Sequence, residues 1–331
     1  MKQCLVLILF LKIVVASGQQ KQPGDFGFRH FRTLYNNDPV DILVLSEKGK
    51  ESEKKPLFFF CQGSLPVPLI KPDGDKLYSV FPFNTDALSK DFHIVIVSKP
   101  FIPVVVEAGK LVRGFNYVDP ETGKTPKSYG ERNLPGYYVG RNLEIVSFLQ
   151  QQPFVSPEKL VVAGHSEGST VAVRMAAASK KVSHLIYAGG CPAGRILSMT
   201  GRSRSVETDS SSSTEDEFNY WESVVNDPDN MDDSNGDTNK ATFDFSAPLY
   251  PLFENLSIPV LVSFGTKDYC APFNDYLRVE MIRHKKANFT FNAYIGCEHN
   301  FFPLKPDGKP DYDIFNWDKV ASDWKNWLDK K

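Results

Sequence analysis

The sequence has no strong excess of charge of either sign. Its 331 residues carry 38 Lys and Arg against 40 Asp and Glu, a formal net charge of −2. Proteins that attract nucleic acid or an anionic membrane by electrostatics need a strongly basic surface. The balance therefore predicts no nucleic-acid partner and no electrostatic membrane partner.

Cysteine is also sparse, with five residues in the chain. Their spacing matches no zinc pattern, and the chain has no glycine-rich motif that cradles phosphate, so the sequence predicts no metal and no cofactor. Cys270 and Cys297 lie in two loops that a parallel sheet would bring to one edge, and we predict a disulfide between them in an oxidising compartment. Unpaired, half-buried thiols are the alternative.

The N-terminus holds the longest apolar run. Lys2 is followed by apolar residues at 4–15 and by small residues that end at Gly18. This layout is typical of a secretory signal peptide, with cleavage after Ala16 or Gly18, and it predicts a secreted or periplasmic protein. The run is short for a bilayer, so no stable membrane insertion is expected after cleavage. A retained anchor is the alternative, because Lys12 interrupts the run.

Beyond residue 18, apolar segments that end at Gly or Pro alternate with segments of helical spacing. Buried strands that alternate with helices form a mostly parallel sheet covered on both faces, which is an α/β architecture. Two segments at 28–37 and 40–49 alternate in polarity and predict an antiparallel edge. We expect a single domain over 19–331. Its predicted buried strands lie at 57–63, 93–100, 159–164, 183–190, 258–265 and 288–296.

The segment 206–239 interrupts this alternation. It is rich in acidic residues and serine, contains no Lys or Arg, and lies between two predicted strands, so we assign 195–250 to an insertion. One interpretation is a solvated loop, and the other is a lid over the active site with a short helix at FNYWESVV. A calcium loop of the EF-hand type is excluded, because the register set by Gly236 places Met231 where the first carboxylate belongs.

Residues 164–168 read Gly-His-Ser-Glu-Gly, directly after a predicted buried strand and before a helix of small residues. Gly164 and Gly168 flank a turn so tight that side chains at these positions would clash, with His165 inside the turn. Such a turn exposes the hydroxyl of Ser166 at the carboxyl end of the sheet. We predict that Ser166 is a catalytic nucleophile.

A serine hydroxyl attacks only when a base takes its proton, and on a strand-turn-helix site the acid and the histidine follow the serine in the chain. Asp268 lies just beyond the strand at 258–265, and His299 lies in the loop after the last predicted strand. His184 falls inside a strand and His284 on a basic surface, so His299 is the predicted base and Asp268 its partner. The weaker candidates for the acid are Asp275 and Glu298.

Acyl transfer also needs hydrogen-bond donors for the developing oxyanion. One is expected from the backbone N–H of Glu167, the residue after the nucleophile. The other is expected from the loop that follows the strand at 57–63, from either Gly63 or Ser64. Two further roles stay open. Lys99, Arg113 or Arg132 would hold an anionic substrate end, or be loop charges only, and the Glu167 side chain would meet a substrate amine or face the helix start.

The motifs FFFCQGS, GHSEGS, FGTKDYC and CEHNFF occur in this order, and with them the chain from about residue 55 onward resembles the α/β-hydrolase superfamily. It is most similar to the dienelactone-hydrolase-like and prolyl-oligopeptidase-like serine hydrolases. The resemblance implies an eight-stranded sheet and acyl transfer to water through an acyl-serine. The chain departs from the family pattern at Gln62-Gly63, where a single glycine replaces His-Gly-Gly.

The expected function is an exported serine hydrolase that cleaves carboxylic esters with a Ser-His-Asp triad. A serine peptidase or amidase that acts on short peptides is the alternative, because acyl-serine chemistry serves both substrates. A third hypothesis, from a different class, is a catalytically inactive binding module on the same fold. The presence of Ser166, Asp268 and His299 together argues against it.

Overall fold

The structure is a computed structural model that describes residues 21–234 and 236–331. The predicted signal peptide at 1–18 lies outside these residues. The described chain forms one eight-stranded sheet and a separate two-stranded hairpin. Within the described residues, no helix is both long and apolar enough to span a membrane.

The large sheet has the strand order β1-β2-β6-β3-β7-β8-β9-β10. β2 runs antiparallel to both of its neighbours, and all other neighbouring pairs are parallel, which confirms the predicted architecture. The small hairpin, which the sequence analysis did not predict, pairs β4 with β5. The strands are β1 Phe28–Tyr35, β2 Asp38–Leu45, β3 Lys55–Cys61, β4 Lys71–Asp73, β5 Lys76–Tyr78, β6 His93–Val97, β7 Val155–His165, β8 His184–Ala188, β9 Val260–Gly265 and β10 Phe289–Tyr294.

The helices follow the strands along the chain and cover both faces of the sheet. Most connect successive parallel strands, which such strands require for their crossovers. They are α1 Asp86–Ser89, α2 Lys127–Arg132, α3 Pro135–Leu149, α4 Glu167–Ala178, α5 Arg195–Ser205, α6 Ser213–Asn226, α7 Asn239–Phe245, α8 Tyr250–Asn255, α9 Ala271–Arg283 and α10 Trp317–Leu328.

Two hydrophobic layers sandwich the sheet, and β3 shows why its apolar run is continuous. Leu57 and Phe59 point into one layer, with α3 and α4, while Phe58 and Phe60 point into the other, with α1 and α10. Successive side chains of a strand point to opposite faces, so a strand covered on both sides needs apolar residues throughout. In the second layer Trp324 of α10 is fully buried, and its indole N–H donates to Ser263 Oγ at 3.2 Å.

The acidic segment between β8 and β9 contains more regular structure than the sequence predicted. The expected helix at FNYWESVV is part of the longer α6, and α5, α7 and α8 complete a helical insertion. Val224 and Thr214 of α6 are buried, and Tyr220 Oη lies 2.8 Å from Thr242 Oγ1 of α7. These contacts hold α6 against the neighbouring helix.

The predicted disulfide between Cys270 and Cys297 is wrong, because both residues are free buried thiols. Their loops do meet, as the backbone N–H of Lys267 donates to Cys297 O at 2.8 Å. The side chains, however, enter different hydrophobic clusters. Cys270 packs with Cys191 and Ala193, whereas Cys297 belongs to the layer beneath α10.

His184 of β8 gives the fold a pH-dependent component. Its side chain is buried, with Nδ1 2.9 Å from Ser183 Oγ and the ring edge-on to Trp327. Burial, together with the positive charges of Lys159 and Lys331, lowers the pKa of His184 to about 4. An unfolded histidine has a pKa near 6.5, so between these values the unfolded chain binds the extra proton.

We expect His184→Asn, which does not titrate in this range, to lose less stability on acidification than the unmodified protein. Between pH 7 and pH 5 the difference in the free energy of unfolding should be about 1–2 kcal/mol, because stability falls as the unfolded state takes up protons. Urea denaturation of both proteins at the two pH values measures it. Equal losses in the two proteins would contradict this assignment.

Candidate active site

Ser166 lies in the sharp turn between β7 and α4. Its backbone torsions are φ 57° and ψ −128°, a region that residues with side chains rarely adopt and that costs about 1–3 kcal/mol. The backbone N–H of Ser166 donates to Ala188 O of β8 at 3.0 Å, and Ser169 Oγ donates to Ser166 O at 2.6 Å. These hydrogen bonds hold the turn in place.

Gly164 and Gly168 make this turn sterically feasible. A Cβ atom at Gly164 would overlap the carbonyl oxygen of Gly168. A Cβ atom at Gly168 would overlap the carbonyl oxygen of Cys61 in β3. The first turn of α4 therefore lies against two strands at once, and only glycine permits that approach.

The structure brings Ser166, Asp268 and His299 together at the carboxyl ends of β7, β9 and β10. His299 Nε2 lies 3.0 Å from Ser166 Oγ, and His299 Nδ1 lies 3.0 Å from Asp268 Oδ2. Asp268 is fully buried, and its Oδ1 accepts the backbone N–H of Cys270 at 2.9 Å. With the Nδ1 proton donated to Asp268, Nε2 is free to accept the proton of the serine hydroxyl.

His165 supports the imidazole of His299 from behind. Its Nε2–H donates to the backbone carbonyl of His299 at 3.0 Å, and its ring packs edge-on against Trp317. Burial lowers the pKa of His165 to about 3, so it remains a neutral donor near neutral pH. The ring of Tyr269 also stacks on His299, with centroids 5.2 Å apart. Sequence reasoning named His165 only as part of the turn and gave no signal for this support.

The loop after β3 lies directly beside the serine. A Cβ atom on Gly63 would lie 3.7 Å from Ser166 Cβ, and Ser64 lines the same pocket. The loop is anchored on both sides, because Gln62 Nε2 donates to Val97 O at 2.7 Å and Tyr129 Oη donates to Ser64 O at 2.6 Å. Within the described part of the chain, no group accepts a hydrogen bond from the backbone N–H of Gly63, Ser64 or Glu167.

A pocket of about 320 Å³ opens above Ser166 and His299. Its walls come from the turn, from the segment after β8, from the helical insertion and from the loop after β9. The residues that line it are Ser64, Ser166, Glu167, Thr170, Gly189, Cys191, Gly194, Arg195, Ser198, Met199, Arg202, Asp237, Phe245, Tyr269 and His299.

The side chain of Glu167 is buried among cations. It pairs with Arg195 of α5, and its Oε1 lies 3.6 Å from Lys99 Nζ. Arg195 also pairs with Asp237 at 2.9 Å, and Asp237 accepts a hydrogen bond from Asn133 Nδ2 at 3.0 Å. The carboxylate of Glu167 is therefore compensated within the protein, which disfavours its use as a contact for a substrate amine.

The cations considered from the sequence do not line the pocket. Lys99 lies behind Glu167, Arg132 pairs with Asp38 at 2.7 Å, and Arg113 lies in a short 3₁₀ turn outside the pocket wall. The cations that do line it, Arg195 and Arg202, come from α5, which lies in the predicted lid or loop insertion at 195–250. The helical spacing of RILSMTGR could have indicated them.

No group of three or more His, Cys, Asp or Glu side chains in the described residues is arranged to hold a metal ion. Apart from Arg202, the charged side chains around Ser166 are instead paired with one another or directed at the imidazole. What the geometry provides is a serine hydroxyl, a base in hydrogen-bonding contact with it and a buried carboxylate behind the base.

A family model described as "BAAT / Acyl-CoA thioester hydrolase C terminal" matches residues 143–300. This span runs from α3 to just beyond β10. It contains Ser166, Asp268 and His299, but it covers less than half of the chain. A comparison with curated proteins gave no match.

Several solved structures share the fold at low identity. Est1E from Butyrivibrio proteoclasticus is 14% identical, with a TM-score of 0.53 over 91% of this chain and 98% of its own. The 2,6-dihydroxy-pseudo-oxynicotine hydrolase is 13% identical, with a TM-score of 0.54 over 91% of this chain and 67% of its own. The Pyrococcus horikoshii acylaminoacyl peptidase is 17% identical, with a TM-score of 0.50 over 82% of this chain. This chain spans only 37% of that peptidase.

These likenesses show that the chain shares its overall fold with these solved structures. The antiparallel strand β2 also lies where the alternating polarity of residues 28–37 and 40–49 predicted an antiparallel edge. The chain therefore has the α/β-hydrolase fold.

Proposed function

We propose that the chain is an exported serine hydrolase that cleaves carboxylic esters through an acyl-serine intermediate. The observation that carries the proposal is the hydrogen-bonded chain from Ser166 Oγ through His299 to Asp268, with both distances at 3.0 Å. This geometry supplies a nucleophile, a general base and an orienting carboxylate in contact, which is the arrangement that acyl transfer requires. The signal-peptide pattern at 1–18 supports export.

In the first half of the proposed reaction, His299 Nε2 takes the hydroxyl proton while Ser166 Oγ bonds to the ester carbonyl carbon. The carbonyl π electrons move to the oxygen, which becomes an oxyanion beside the N–H of Glu167 and that of Gly63 or Ser64. When the intermediate collapses, the bond to the leaving oxygen breaks. His299 then donates its proton to that oxygen, which yields an alcohol and an acyl-Ser166.

In the second half, a water molecule takes the place of the alcohol. His299 accepts a proton from the water as its oxygen bonds to the acyl carbon, and the proton returns to Ser166 Oγ when the acyl–serine bond breaks. The products are a carboxylic acid and the free enzyme. Throughout, buried Asp268 holds the imidazole by Nδ1 and stabilises its protonated form, while the backbone N–H of Cys270 holds Asp268.

Thioester hydrolysis is the second candidate, because the matching family model carries acyl-CoA thioester hydrolase in its description. Peptide or amide cleavage is the third, supported by fold likeness to peptidases such as the acylaminoacyl peptidase. All three reactions pass through the same acyl-serine and differ in the leaving group. Three substrates that share the same butanoyl group but have an oxygen, a sulfur or a nitrogen leaving group allow the three reactions to be compared under identical conditions.

For the ester hydrolase we expect kcat/KM to be highest with the oxygen ester. A higher value with the thioester or the amide, after correction for the rate of each substrate without enzyme, would reassign the reaction. If the purified protein hydrolyses none of the three and no fluorophosphonate adduct forms on Ser166, the inactive binding module becomes the better description.

We expect Ser166→Ala to lower ester hydrolysis by a factor of about 10⁴ or more and to abolish the fluorophosphonate adduct, because it removes the hydroxyl that His299 contacts and that forms the acyl intermediate. The matched control is Ser198→Ala, which removes another serine hydroxyl from the same pocket and should keep the adduct at Ser166. Mass spectrometry of the labelled proteins locates the adduct. Near-normal turnover by Ser166→Ala would refute the mechanism.

We expect Gly63→Ala to lower kcat/KM by about 10–10³-fold, because the added methyl group enters the space beside Ser166 where the oxyanion forms. The Cβ atom meets Ser166 Cβ at an ordinary van der Waals distance of 3.7 Å, so thermal stability should change little. Gly109→Ala, whose Cβ meets nothing within 4 Å, is the control. Full activity in Gly63→Ala would show that the space next to Gly63 and Ser166 is not where the oxyanion forms.

A further inference from the structure

Helix α5 presents one face to the pocket above Ser166. Its pocket-lining residues are Arg195, Ser198, Met199 and Arg202, spaced as one face of a helix requires. The helix lies against the loop after β9 that contains Asp268 and Tyr269. A Cβ atom on Gly201 would lie only 3.2 Å from Tyr269 O. Since Tyr269 stacks on His299, this face of α5 borders the reacting groups.

Most of the charge around the pocket is compensated within the protein. Glu167 pairs with Lys99 and Arg195, and Asp237 pairs with Arg195. Two cations therefore balance two carboxylates in a connected, largely buried chain. Asp268 does not line the pocket, because it is fully buried behind the imidazole of His299.

Arg202 is the exception among the charged groups of the pocket wall. Within the described residues it has no carboxylate partner and no side-chain hydrogen bond. Arg204, two positions later on another face of α5, instead pairs with Glu207. The guanidinium of Arg202 is exposed to solvent at the pocket, so its five N–H donors are available to a ligand.

We propose that the pocket selects esters that carry an ionised carboxylate in addition to the ester group, and that Arg202 binds this carboxylate. A guanidinium matches a carboxylate with two parallel hydrogen bonds, and here no internal anion competes for it. A positively charged substrate group would instead be repelled by the unpaired charge of Arg202. The inference rests on the proposed ester hydrolysis and specifies its substrate class.

Three nitrophenyl esters test the proposal on the full-length protein. One has a neutral pentanoyl group, one has a glutaryl group that ends in a carboxylate, and one joins the pentanoyl group to a nitrophenol that carries a carboxylate. The last two distinguish an anion on the acyl side from an anion on the leaving-group side. We expect the unmodified protein to show a higher kcat/KM with one of the two anionic esters than with the neutral ester.

In Arg202→Gln the ratio of kcat/KM for the preferred anionic ester to that for the neutral ester should fall about five- to tenfold, because glutamine keeps the polarity and removes the charge. Raising the ionic strength should lower the same ratio in the unmodified protein and much less in the variant. Arg204→Gln is the matched control, because it removes one positive charge from the same helix away from the pocket. That variant should keep the ratio.

A ratio that Arg202→Gln leaves unchanged overturns the proposal, as does preference of the unmodified protein for the neutral ester. Either result leaves ester hydrolysis by Ser166 in place. If none of the three esters is hydrolysed and Ser166 takes no fluorophosphonate label, the proposed function fails, and the role of Arg202 fails with it.

Discussion

The site depends on one steric constraint, the approach of α4 to β3 and β7 that Gly164 and Gly168 allow. Carbonyl oxygens occupy the space into which a Cβ would project from either position. Because glycine has no Cβ, the chain can turn sharply enough to hold Ser166 at positive φ. That turn places Ser166 at the carboxyl edge of the sheet, and Glu167 begins α4 directly after it. One backbone feature thus places both the proposed nucleophile and the first proposed oxyanion donor.

Around this turn, the polar groups fall into two layers with different roles. The inner layer is neutral or buried. His165, whose pKa burial lowers, and Asp268 hold the His299 loop and ring from behind. The outer layer is charged and surrounds the pocket, with Glu167 held by Arg195. The pairing in the outer layer leaves Arg202 as the exposed, unpaired guanidinium of the pocket among the residues that the structure describes.

Patterns within a few residues predicted most of the sheet, the turn at Ser166 and the histidine that reaches it. Apolar runs and glycines are local consequences of burial and of tight turns, so they can be read without coordinates. The prediction of a Cys270–Cys297 disulfide was wrong because the proximity of two loops does not specify the direction of their side chains. Arg202 and the support by His165 were missed, because each depends on which face of an element meets another element distant in the chain.

The sequence by itself determined the class of fold, the strained position of Ser166 and the order of serine, acid and histidine along the chain. These follow from hydrophobic periodicity and from glycine, which act locally. Only the tertiary structure decided that Glu167 is neutralised by Arg195, that the cysteines stay unpaired and that the free charge at the pocket is positive. Such properties arise from distances between groups far apart in sequence, and Coulomb and packing energies depend on those distances.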